Sequence, residues 1–117
     1  MSSEFNRENE RWDALKIRVA KEHSSGNTNF DIAGEALKVR IDWVRTIKTV
    51  REFRNCDLPT AQEDVLSHKG WQRIIQKKLE SDPECRKLAH HHCRSHPYSG
   101  LIRKDEDRYT IVIRPTR

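Results

Sequence analysis

At 117 residues, with 34% apolar and 35% charged side chains and a mean hydropathy of −0.95, the chain can hold one domain with a small core. It is too polar to supply a membrane-spanning run. A net charge of +5 and an isoelectric point of about 9.3 favour polyanionic partners. Three cysteines, Cys56, Cys85 and Cys93, form no disulfide framework, and MSSEFNRENERW carries no apolar leader. The expectation is therefore a soluble protein of a reducing compartment, cytoplasmic or, in a eukaryote, nuclear.

Taken in chain order, Ser3 caps a first helix expected over 4–23, with Phe5, Trp12, Leu15 and Val19 on one stripe. The loop SSGNTN (24–29) follows, rich in side chains that bond their own backbone. A second segment begins near Phe30, and it either breaks near Lys38–Arg40 or runs on to Arg54. After NCDLP (55–59), Thr60 and Glu63 fit a reciprocal capping box for a helix from about Ala61, which Gly70 ends or bends. Trp71, Ile74, Ile75 and Leu79 continue at helical spacing. Asp82–Pro83 restarts a last helix that must stop before Pro97. In the tail the period shortens: Leu101 and Ile102, then Tyr109, Ile111 and Ile113, alternate around KDEDR (104–108), which predicts a β-hairpin over 100–114. The fold expected is a single domain over 1–117, mainly α, with four to five short helices over 4–96 closed by that C-terminal β-hairpin. Trp12, Trp43 and Trp71 are expected to anchor its core.

FDIAGEALKVRIDWVRTIKTV (30–50) carries the functional signal. Ala33, Leu37, Val39, Val44 and Ile47 fall where two helices meeting at a tight corner need apolar contacts, and Gly34 falls where a bulky group would push them apart. Charge concentrates here too. Residues 1–37 hold five basic and seven acidic groups, residues 38–54 six and two, and residues 55–117 twelve and nine.

This corner resembles the helix-turn-helix superfamily of DNA-binding proteins, over about twenty residues. The resemblance implies that the second helix enters the major groove while the first braces it. Arg40, Asp42, Arg45, Thr46 and Thr49 would then face DNA, with Lys38, Lys48 and Arg51 nearer the phosphates. Arginine suits guanine edges because its fork meets two acceptors at once. The chain departs from the pattern at Lys38, where glycine is usual, and at Ile41 and Trp43, apolar groups on or beside the reading face. Helices followed by a hairpin also resemble a winged-helix arrangement, with Arg103, Lys104 and Arg108 able to meet phosphates but Asp105, Glu106 and Asp107 at the tip repelling them.

Elsewhere, CRKLAHHHCRSH (85–96) offers Cys85, His92, Cys93 and His96 as zinc-type ligands, but without the paired knuckles of structural zinc sites. Cys93 beside His96 lacks a nucleophile turn, and no glycine-rich phosphate loop occurs. No catalytic residue, metal site or cofactor is therefore assigned. The expected function is non-catalytic binding of duplex DNA by a small regulator, with a homodimer as one possible form. The alternative is a helical protein-interaction module, an adaptor or inhibitor, which requires an uninterrupted helix over 38–54. RNA binding by the same basic face is a third option, though the paired aromatic platform of single-strand readers is missing.

Overall fold

The computed structural model describes residues 3–96, 100–106 and 108–116, with side chains from Arg7 onward. Among these, six helices precede a two-stranded antiparallel hairpin: α1 (Ser3–Ser24), α2 (Ile32–Lys38), α3 (Trp43–Arg54), α4 (Leu58–Leu66), α5 (Lys69–Ser81), α6 (Pro83–Ser95), β1 (Ile102–Asp105) and β2 (Arg108–Ile111). The mainly helical class with a terminal hairpin is as the periodicity predicts, with more helices than expected. The chain forms two compact units, Met1–Val65 and Leu66–Arg117.

In the first unit, α1 packs against both α2 and α3. Leu15 and Val19 of the predicted α1 stripe are buried, with Ile32, Ala33, Ala36, Ile41, Ile47 and Val50 around them. Trp12 is only half buried; its Nε1 donates to Thr49 Oγ1 at 2.9 Å. The position of the Phe5 side chain lies outside the described residues. Fully burying a Val or Ile contributes roughly 1.5–3 kcal/mol. Each of these buried aliphatic side chains therefore adds to the unit's cohesion.

In the second unit, Trp71, Ile75 and Leu79 form the buried edge of α5, and Leu101 and Tyr109 of the hairpin are buried as well. Strand register pairs Ile102 with Ile111 and Lys104 with Tyr109. Two glutamines join α5 to the hairpin. Gln76 donates to Tyr109 O and accepts from Ile111 N, both at 3.1 Å, as a neighbouring strand would. Gln72 Nε2 donates to Leu66 O and Ile113 O at 2.7 Å each. The outward backbone groups of β2 are thus satisfied by side chains.

Two local expectations need correction. The helix after NCDLP starts at Leu58, and its cap is Asp57, whose carboxylate accepts from Thr60 N at 2.9 Å. Hydrogen bonds from Thr60, reinforced by the charge of Arg51, hold the Asp57 carboxyl below the usual carboxylate range. Thr60 therefore sits inside the first turn and does not begin the proposed capping box. Gly70 neither ends nor bends a helix. The break falls at Ser67–His68, and His68 Nδ1 accepts from Gly70 N at 3.1 Å to cap α5. The Asp82–Pro83 restart forms as expected, with Asp82 accepting from Glu84 N at 3.0 Å and Pro83 in the first turn.

Candidate nucleic-acid interface

The chain does turn between α2 and α3, and the break is built from backbone bonds. Arg40 N donates to Leu37 O at 3.2 Å, and Ile41 N donates across six residues to Ala36 O at 2.9 Å, with Arg40 at a φ of 63°. These are the two bonds of a Schellman stop. Its usual apolar contact is available, since Ala36 and Ile41 are both buried. The left-handed residue is Arg40, not the expected Lys38, and no glycine relieves it. The conformation costs a non-glycine residue about 1–2 kcal/mol. Ile41 turns inward at this stop, so it is removed from the reading face that it was expected to obstruct.

Asp42 then caps α3. Its Oδ1 accepts from Arg45 N at 2.8 Å, a contact typical of a good N-cap and contributing on the order of 1 kcal/mol. The same carboxylate pairs with the Arg45 guanidinium, which also lies 3.5 Å from Glu8 of α1 and 5.6 Å over the Trp12 ring. Lys16 approaches the same ring at 4.4 Å. The Arg45 side chain is only 19% exposed. It is held by two carboxylates and an aromatic face, and so acts as a clasp between α1 and α3.

Thr46 and Thr49 are completely buried. Their hydroxyls donate to the carbonyls of Asp42 at 2.6 Å and Arg45 at 2.8 Å, and Thr49 also receives Trp12. Both residues point into the unit and away from any DNA-facing surface. Arg54, on the last turn, donates to Phe30 O at 2.8 Å and lies 3.9 Å from Asp64.

Of the seven basic and threonine residues expected at the interface, the structure therefore leaves four exposed: Lys38 and Arg40 at the corner, and Lys48 and Arg51 on α3; Asp42, the eighth residue expected there, is engaged as the cap of α3. Val44, expected to pack between the two helices, is instead 58% exposed, and Lys48 and Arg51 align with it at helical spacing along one side of α3. None of these four forms an ion pair within 4 Å among the described residues, although Arg51 acts on Asp57. The other two cations of residues 38–54, Arg45 and Arg54, are engaged internally. That division depends on contacts across more than ten residues. Sequence spacing alone does not reveal it.

The hairpin's cations are also engaged. Arg103 reaches Asp105 and Arg108 reaches Glu80, at 3.0 and 3.3 Å, while Lys104 lies over the Tyr109 ring. In α6, the His92 and His96 rings stack at 5.0 Å, and burial followed by His96 holds the His92 pKa below its ordinary value. Burial raises both thiols, that of Cys85 with help from Asp82; Cys93 Sγ lies 3.9 Å from Ile102 O. Among the described residues no three His, Cys, Asp or Glu side chains converge as a metal ion requires. No described helix is long and apolar enough to cross a membrane.

Comparison of the chain with protein-family models, with curated proteins and with solved structures returns no match.

Proposed function

We propose that the chain binds duplex DNA without catalysing a reaction, as a small regulator, through the α2–α3 corner. The observation that carries this reading is the exposed row Val44, Lys48 and Arg51 on α3, together with exposed Lys38 at the end of α2 and exposed Arg40 at the Schellman stop. A break at the corner lets α3 approach a polyanion as a separate rod. The docking-module alternative required an uninterrupted helix there. Lys38, Lys48 and Arg51 would neutralise phosphates and release counterions, which is the sequence-independent part of affinity. Arg40, an exposed fork at the corner, suits a guanine edge, and Val44 suits a thymine methyl group. Arg45 has a different part in this scheme: clasped by Glu8 and Asp42, it fixes the rotation of α3.

The test uses Lys48→Gln with Arg51→Gln and leaves Arg45 in place, because removing the clasp would disturb α3 itself. Two lost phosphate contacts should reduce the slope of log affinity against log salt by roughly 1.8. Affinity should fall on the order of tenfold or more at low salt, with thermal unfolding unchanged. A double variant that titrates duplex DNA like the parent chain would exclude the assignment.

A further inference from the structure

The structural units redistribute the charge in a way that windows of sequence do not. Met1–Val65 contains eleven Lys and Arg against twelve Asp and Glu, whereas Leu66–Arg117 contains twelve against six. The second unit alone carries +6, and the first carries −1.

Within the second unit the excess is concentrated on α5. Lys69, Arg73 and Lys77 recur at four-residue spacing, are all exposed, and form no ion pair among the described residues. Like charges four apart on a helix repel one another. A face that only needs solvation ordinarily interleaves opposite charges, as α1 does with Asp13–Lys16 and Arg18–Glu22. On α5 the row is uncompensated. Nearby Glu80 pairs with Arg108, and Asp82 is occupied as the cap of α6. The rotation of the helix is fixed as well. Trp71, Ile75 and Leu79 are buried, and Gln72 and Gln76 are bonded to the hairpin, which leaves the Lys69–Arg73–Lys77 side facing solvent.

We propose that Lys69, Arg73 and Lys77 form a second phosphate-binding surface, which holds a nucleic-acid backbone without reading its sequence. The three residues span about 12 Å of helix axis. One strand of duplex DNA presents a phosphate about every 3.4 Å of axis, so the row can meet several phosphates at once. A polyanion also relieves the repulsion among the three cations. A lipid surface fits less well, because on α5 itself only Ile74, 37% exposed, adds a large apolar group to the exposed side. The inference takes its partner class from the DNA-binding reading, but its residues and geometry are independent of the α2–α3 corner.

The experiment is an anisotropy titration of the full chain with a mixed-sequence duplex DNA oligonucleotide over a series of salt concentrations. The Lys69→Gln/Arg73→Gln/Lys77→Gln variant is compared with the parent chain and with the Lys48→Gln/Arg51→Gln variant. The triple variant should lower the log–log slope by roughly 2.7 and weaken binding on the order of 100-fold at about 0.1 M salt, equally for unrelated sequences. Its melting temperature should be unchanged or higher. Parent-like binding by the triple variant, with loss in the α3 variant, would overturn this inference and leave the corner reading intact. Loss in the triple variant alone would support the inference and remove the corner reading. A parent chain that ignores DNA, or that binds only anionic phospholipid vesicles, would overturn both.

Discussion

The two units cover a small interior with highly charged chain by different means. In residues 1–65 the interior is aliphatic, and key cations are drawn inward: Arg45 onto Asp42, Glu8 and Trp12, and Arg54 onto Phe30 O and Asp64. In residues 66–117 fewer apolar groups are buried, the hairpin is tied on by Gln72 and Gln76, and the cations of α5 remain in solvent. The densest basic window of the sequence, residues 38–54, contributes Lys38, Arg40, Lys48 and Arg51 to the surface, while the larger imbalance belongs to the second unit.

The largest effect that would sharpen this contrast is expected from Ile32→Ala. Ile32, the first residue of α2, is fully buried. Its truncation should destabilise the first unit by about 2–5 kcal/mol in chemical denaturation. A loss well below this range would mean that the aliphatic interior contributes less than its burial suggests.

Next comes Gln76→Leu in the second unit. It preserves bulk but leaves Tyr109 O and Ile111 N without their side-chain partner, a cost of about 1–3 kcal/mol. The exchange rate of the Ile111 amide proton gives the direct readout. It should rise in the variant, and an unchanged rate would break the claim that side-chain amides secure β2.

The smallest effect has two opposite signs. Arg40→Gly should stabilise the chain by roughly 0.5–1 kcal/mol, because glycine adopts the left-handed conformation without a Cβ penalty. The same change should weaken DNA binding by removing an exposed cation of the corner. A variant that is both less stable and equally tight in binding would contradict the roles given to Arg40.

Much of the architecture was legible because it rests on local chemistry. The Leu15–Val19 stripe, the Asp82–Pro83 restart and the alternation of Leu101 through Ile113 each specify an element from neighbouring residues. The Ser67–His68 break was not legible, since a histidine accepting from Gly70 N is no ordinary cap signal. Nor was the cap at Asp57, which competes with an equally plausible Thr60–Glu63 pair. At the candidate interface the corner could be anticipated, but the fate of its side chains could not. Thr46 and Thr49 turn inward because Ile47, Val50 and the Trp12 hydrogen bond fix the rotation of α3. Arg45 is captured by Glu8, thirty-seven residues earlier in the chain.

The most direct measurement is an NMR titration of the full chain with duplex DNA, following backbone amides together with lysine and arginine side-chain signals. Salt-sensitive shifts are expected at Lys38, Arg40, Lys48 and Arg51, with the buried Thr46 and Thr49 hydroxyls and the Arg45 clasp retained. Shifts confined to other surfaces, or none at saturating DNA, would contradict the proposed interface.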